Sequence, residues 1–393
     1  MLKLRRLAHT ILLSSVAGLS PIAIQAADLI VSANDGKYLR VDGKDTWPRN
    51  ANPDTLTVLD ASTLPFKPLK SIPVEFGIQG PPQAVAITPN GQLAFVGAPT
   101  RYDHDNTRLV TDNFVQVIDL ESDALGITKL SLPTHPQGIA VNRTGDLVLV
   151  AGVDGSLYVL TIDGKQAALI NSIKLSSGRL AGVSFTHDGK HALVALRDQQ
   201  GVAVVDINGH EVKDSLMRLS SGVAPYTIDV SSDGRWAVVS NVGLAGLAGS
   251  DAKRLGDTDT VSLIDVSSVP FKTVQYLNVP SVPEGVAISP DGRWITVLSM
   301  DGSNLTKDNP GRKEKGKLIL FSLKDGVATQ VSEVPSGTAG QGVAFTQDSQ
   351  YVIAQLNVEK QLAIYKIEND RLQDTGTPIQ LEAGPASIRT MPR

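Results

Sequence analysis

One phrase recurs six times along this chain: a small residue, a short run of alternating apolar residues, a turn pair that is Asp-Gly or Asn-Gly in four copies, Thr-Gly in one and Asp-Ser in one, and a second apolar run. The copies are PPQAVAITPNGQLAFV from Pro81, HPQGIAVNRTGDLVLV from His135, RLAGVSFTHDGKHALV from Arg179, APYTIDVSSDGRWAVV from Ala224, VPEGVAISPDGRWITV from Val282 and AGQGVAFTQDSQYVIA from Ala339. Each reads as two β-strands joined by a tight turn, in which a glycine supplies a positive φ in all copies but the last. A third strand follows every copy, as in FVQVIDL, VAVVDIN and VSLIDVS, and a fourth after that, as in TVQYLNVP from Thr273. The turns stand 44 to 58 residues apart. Four antiparallel strands at that period specify a blade of a β-propeller.

The two ends of the chain complete the pattern. LIVSAND, DTLTVLD and KSIPVEF near the N-terminus make three strands without an innermost one, and GPASIRT near the C-terminus is an innermost strand without partners. Joined, they form a seventh blade, and the ring closes without a free sheet edge. A solenoid or a ring of six or eight blades are the alternatives. An open array needs atypical capping repeats, whereas these ends are complementary halves of one repeat. The expected fold is therefore all-β, a seven-bladed propeller with its closing blade shared between the termini. Gly138, Gly182, Gly285 and Gly342 recur where innermost strands crowd the axis, which is a structural requirement before it is anything else.

Residues 1–26 read as a secretory signal peptide. Lys3, Arg5 and Arg6 precede an apolar run that ends at Ile24-Gln25-Ala26. An uncleaved anchor is the other reading, though Ser14, Ser15, Gly18, Ser20 and Pro21 interrupt the run. Residues 27–393 are expected to form one domain, periplasmic or secreted, monomeric, with no later membrane span. Removing the leader takes the formal charge from −4 to −7, which argues against nucleic acid as a partner. The absence of cysteine excludes c-type haem attachment, thiolate metal sites and disulfide stabilisation.

The repeats, the exported N-terminus and third strands such as DTVSLIDV (Asp259–Val266) resemble the bacterial YVTN or lactonase-like seven-bladed propellers. That resemblance spans nearly the whole chain after the leader. It implies the fold and a range of roles: lactonases, muconate-cyclising enzymes, electron-transfer subunits and exported proteins without assigned activity.

The loops point to one face of the ring. The connection between second and third strands lies on the same face as the start of the first strand, and in four blades it is long: Asn34–Pro53, Ala98–Asn113, Val242–Asp259 and Met300–Lys317. Long loops without a pattern of their own tend to carry function. These four fall in two adjacent pairs and are expected to wall the channel mouth. Arg101, Arg254 and Arg312 stand in them as candidate anion ligands, with Arg40, Arg49 and Arg108 nearby; pairing with loop aspartates is the competing reading. Gln83, Gln137, Tyr226, Glu284 and Gln341 begin innermost strands and are expected to ring the mouth as ligand-binding residues. Glu284, the one carboxylate among them, is the candidate catalytic base or cation ligand. Asp103, His104 and Asp105 in RYDHDN are the candidate metal ligands, against the reading of a solvated loop tip. No cofactor is firmly implied. A divalent cation such as calcium is the one considered, with Asn34, Asn241 and Asn357 as further oxygen donors, but that set is thin in carboxylates.

Two functions follow from this reading. One is a binding protein or interaction platform that uses the long-loop face for a small anionic molecule or a protein. The other is a lactonase-type hydrolase or cyclase acting on an acidic lactone in the channel mouth. In HPQGIAV, Gln137 and Gly138 stand where the resemblance implies a catalytic histidine, and His135 is displaced by two. That departure favours binding over catalysis.

Overall fold

The structure, a computed structural model, describes residues 28–122, 126–248 and 258–392. The leader 1–26 and the loop residues Asp251, Arg254 and Asp257 lie outside the described residues.

Seven radial sheets surround a central axis. Blades 1 to 6 run in chain order from first to last strand: Val85–Ile87 to Ile127–Ser131, Pro136–Val141 to Gln166–Lys174, Val183–Phe185 to Glu211–Leu219, Pro225–Val230 to Lys272–Val279, Pro283–Ile288 to Val327–Pro335, and Gly340–Phe345 to Arg371–Asp374. Blade 7 is built from both ends. Gly384–Thr390 is innermost, followed by Leu29–Asp35, Thr55–Asp60 and Lys67–Pro73. The seam is antiparallel, with Val31 opposite Arg389 and Ser32 opposite Ile388.

The recurring phrase has a side-chain logic at its turn. In blades 1, 3, 4, 5 and 6 a Ser or Thr two residues before the Asp or Asn donates its hydroxyl to that side chain: Thr88 to Asn90, Thr186 to Asp188, Ser231 to Asp233, Ser289 to Asp291 and Thr346 to Asp348, at 2.5–2.7 Å. The same hydroxyl accepts the backbone N–H five residues on, for example Trp294 N at 2.9 Å from Ser289 Oγ. The carboxylate also accepts a backbone N–H across the turn, for example Arg293 N to Asp291 Oδ1 at 3.1 Å. Local side-chain bonding of this kind closes a turn without help from the rest of the ring. The residue after the Asp is left-handed, +69° in Gly292, and Ser349 adopts +61° in the one turn that lacks a glycine.

No single core exists. Among the described residues seven apolar clusters lie one between each pair of neighbouring blades. Because successive strand residues point to opposite faces, Ile30 packs toward blade 6 while Val31 and Ala33 pack toward blade 1. Near the axis the innermost strands nearly touch. A Cβ on Gly182 would stand 2.4 Å from the carbonyl oxygen of Tyr226, and one on Gly138 2.4 Å from that of Ala181, which is why those positions carry no side chain.

The described parts of the four long connections lie on one face, and three of them have structure of their own. The blade 7 loop contains a hairpin, Leu39–Val41 with Lys44–Thr46, and the blade 1 loop another, Thr100–Asp103 with Arg108–Thr111. The blade 4 loop begins with the helix Gly243–Ala248. Strands of three or four mostly polar residues give too little alternation to be read from sequence. No helix of the described residues is long and apolar enough to cross a membrane.

At the seam, buried Gln355 of blade 6 donates to Ser32 Oγ (2.8 Å) and to Ser387 O (2.9 Å), and its Oε1 accepts Gly342 N (3.1 Å). Truncation to alanine leaves these groups without partners, at about 1 kcal/mol each. Gln355→Ala is expected to lower unfolding free energy by about 2–3 kcal/mol in urea titration. An unchanged midpoint would show that the seam holds without this side chain.

Candidate functional site

The long-loop face is covered rather than open. The base of the blade 7 loop is stapled by a buried trio in which Lys37 Nζ sits 3.1 Å from Asp35 and 2.8 Å from Asp54. Those carboxylates also accept backbone N–H groups from Tyr38, Ile78, Gly36 and Phe76. Burial raises the Asp35 carboxyl to about 6, against the opposing pull of Lys37. From this base the hairpin reaches across the mouth. Trp47 stacks on Tyr102 of the blade 1 loop, with centroids 4.7 Å apart and planes at 5°. The hairpin turn meets the blade 5 loop, where a Cβ on Gly43 would fall 2.2 Å from Leu305 O and where Lys307 Nζ lies 3.5 Å from Asp42. The two expected walls therefore touch through the blade 7 and blade 5 loops.

Beneath them stands Glu284, at the start of the innermost strand of blade 5. Its Oε2 is buried without a hydrogen-bond partner, although part of the residue still faces the channel. Burial raises its carboxyl from the usual 4.5 to about 7, with the charges of Arg197 and Arg40 pulling the other way. Arg197 follows the second strand of blade 3. Its guanidinium lies 4.2 Å from the centre of the Tyr226 ring, Nη2 donates to Gly246 O at 3.0 Å, and Nη1 is buried without a partner. Arg40 comes down from the covering hairpin, where Nε donates to Tyr38 Oη at 2.8 Å and Nη2 lies 3.2 Å from Asp45. An acceptor and a donor of opposite charge, both buried and unpartnered, thus lie within electrostatic reach of each other without forming an ion pair.

The structure distributes the other expected residues unevenly. Tyr226 joins the site: its hydroxyl donates to Gly80 O, and burial together with the Glu284 charge raises its pKa. Gln83 reaches the axis but is committed. Its Nε2 donates to Ile228 O (2.5 Å) and its Oε1 accepts Ile228 N (3.0 Å), so it ties blade 1 to blade 4 straight across the ring. Gln137 and Gln341 donate to the backbone carbonyls of Gln79 and Ala339, both at 3.3 Å. His135 is buried with Nδ1 2.8 Å from Asp112 O, and burial lowers its pKa, so it is a neutral imidazole.

Arg101, Arg312 and the acidic cluster are engaged within their own loops, whereas Arg40 reaches the site. Arg101 is exposed and 3.4 Å from Asp112. Arg312 donates to Leu305 O within its own loop. Asp103, His104 and Asp105 are not brought together: Asp103 accepts from the backbone of Asp105 and Asn106 and from the Asn106 amide, while His104 packs against Tyr102. A local turn takes the carboxylate that a metal would need. Among the described residues no group of three His, Asp or Glu side chains is arranged to hold a metal ion. Asn34 and Asn241 likewise bridge strands, through Thr55 and Thr57 and through Thr260 and Ser262.

Sequence reasoning passed over Arg197 because its loop, RDQQG, is short. A signal was present: blades 2, 4 and 5 carry the apolar Val153, Val242 and Met300 at the matching place after the second strand.

If burial raises the Glu284 carboxyl to about 7, the folded chain holds a proton there that the unfolded chain has already lost. Glu284 therefore lowers stability progressively as pH rises from about 4.5 through 7, by up to about 3 kcal/mol. Glu284→Gln is expected to match the parent near pH 4.5 and to exceed it in melting temperature above pH 7; a pH-independent difference would contradict the shift.

No protein-family model and no curated protein sequence matches the chain. Solved structures share its fold at low identity. A candidate 6-phosphogluconolactonase from Bacteroides fragilis NCTC 9343 is 15% identical with a TM-score of 0.68, covering 94% of this chain and 99% of its own. The periplasmic gluconolactonase of Pseudomonas aeruginosa is 14% identical with a TM-score of 0.64, covering 92% and 99%. Hydrazine synthase from Kuenenia stuttgartiensis is 18% identical with a TM-score of 0.56, covering 75% and 78%. The likeness is one of fold.

Proposed function

We propose that the covered mouth hydrolyses a small acidic lactone, with Glu284 as general base and Arg197 and Arg40 as the anion-holding pair. The observation that carries this reading is the Glu284 carboxyl itself, buried, raised to about 7 and with Oε2 unpartnered. A base whose pKa lies near the working pH combines an ionised fraction with the ability to accept a proton. In the proposed step Oε2 takes the proton of a water as its oxygen attacks the lactone carbonyl. The ring C–O bond then breaks, and the proton passes to the departing alkoxide to give the open hydroxy acid. Arg197 Nη1, the unpartnered donor, holds the carboxylate of the substrate or the oxyanion that forms on attack. Arg40 adds a second positive charge from the covering hairpin. Lactonase-like neighbours of the same fold support the substrate class, and the reading of residues 1–26 as a leader supports action outside the cytoplasm.

The second reading, binding of an acidic molecule without turnover, is favoured by the absence of a histidine at Gln137 and Gly138. The two readings have opposite pH signs. Hydrolysis requires ionised Glu284, so kcat/KM is expected to rise with pH through about 7. Simple binding of an anion is strongest when Glu284 is neutral, so affinity falls over the same range. An assay of purified mature protein on aldonic and uronic acid lactones, with Glu284→Gln and Arg197→Gln, separates them. Turnover should drop at least 100-fold in Glu284→Gln. Detectable binding of the hydroxy acids with no turnover at any pH would leave the platform reading in its place.

A further inference from the structure

The opposite end of the channel is a second, separate space. A cavity of about 120 Å³ opens on the face of the Asp-Gly turns and is lined by the innermost strands of all seven blades. Gln83, clasped to both backbone groups of Ile228, lies across the axis at its inner end, between this cavity and the Tyr226 level. Most of the wall is apolar or hydroxylic, which makes its charged side chains informative.

Arg389 projects into this space from the closing strand of blade 7. Its Nη2 crosses to blade 3 and donates to Val183 O (2.8 Å) and Ser184 Oγ (3.2 Å), which fixes the plane of the guanidinium. Nη1 has Asp229 Oδ1 at 3.9 Å, an ion pair beyond hydrogen-bond distance, and among the described residues no hydrogen bond is made by Nη1 or Nε. The other Asp229 oxygen accepts Ile288 N at 2.9 Å, so that carboxylate is oriented by blade 5 rather than by the arginine. At the rim of the same cavity Arg143 contacts the ring of His187, with Nη1 2.6 Å from Nδ1. Among the described residues, two guanidinium groups therefore line the cavity against one carboxylate. Burial also lowers the Arg389 pKa, with the charge of Asp229 pulling the other way.

We infer that the turn-face end of the channel is a binding site for a small oxyanion, anchored by Nη1 and Nε of Arg389 and completed by Arg143. A planar fork with two free donors matches the spacing of two oxygens on a phosphate or carboxylate group. The cavity has room for an ion of a few heavy atoms and some of its waters. The site is independent of the long-loop mouth, so its presence or absence does not bear on the proposed hydrolysis.

The test is calorimetric titration of the mature protein with inorganic phosphate, acetate and glycerol at constant ionic strength. Saturable binding of phosphate is expected, with acetate weaker and glycerol silent. Arg143→Ala changes an exposed side chain that the fold does not need, and should weaken phosphate at least tenfold. Arg389→Gln should abolish binding, and Arg197→Gln should leave it unchanged. No saturable binding overturns the inference. So does phosphate binding that survives Arg143→Ala, or that is lost in Arg197→Gln, which would place the ion in the long-loop mouth. If Arg389→Gln does not fold, the Arg143 and Arg197 variants decide the question alone.

Discussion

Everything in this molecule depends on one antiparallel pairing, that of Gly384–Thr390 with Leu29–Asp35. Before it forms, blade 7 has no innermost strand, and two of the seven inter-blade clusters lack Ala386 and Ile388. The chain ends are more than 300 residues apart in sequence, so the pairing is formed against a large loop-closure entropy. What offsets that entropy is distributed around the seam: Gln355 clasping Ser32 and Ser387, Ser387 donating to Pro81 O at 3.2 Å, and the N–H of Ile388 reaching Pro82 O at 3.1 Å. Blades 6, 7 and 1 are thereby joined by backbone and buried amide bonds as well as by apolar contact.

Closing the ring also creates the chemistry. Innermost strands that converge on an axis leave no room for side chains at Gly138 and Gly182, and the few side chains that do enter are forced together. At one end a carboxylate is desolvated beside two arginines; at the other an arginine is desolvated beside one distant carboxylate. Gln83 lies between the two levels by filling both hydrogen-bonding functions of its amide with a single backbone residue across the ring. A bidentate amide is a suitable divider, because it satisfies itself without adding charge to either end.

The turns were legible because their chemistry is local. Ser289, Asp291 and Gly292 bond one another within five residues, so the phrase that encodes them announces the turn wherever it occurs. The closing blade was legible because the two ends carry complementary parts of that same repeat. Glu284 and Tyr226 were placed at the mouth by their position at the start of an innermost strand. Arg197 and Arg40 were not brought to Glu284 by any such rule. One follows a short connection that looked like a plain turn, and the other sits on a hairpin whose direction over the axis depends on Trp47 meeting Tyr102 and on Gly43 meeting Leu305.

Sequence alone therefore determined the blade, the number of blades, their closure and the face that bears the long loops, since each of these follows from strand periodicity and turn chemistry repeated along the chain. Tertiary structure alone decided which polar groups are left without partners. Gln83, Gln137 and Gln341 look alike at the start of their strands, yet the amide N–H groups of all three donate to backbone carbonyls, while Glu284 Oε2 and Arg197 Nη1 have no partner. The physical reason is that hydrogen bonding at the axis is settled between residues more than a hundred positions apart, where a shift of about an ångström separates a satisfied amide from an open one.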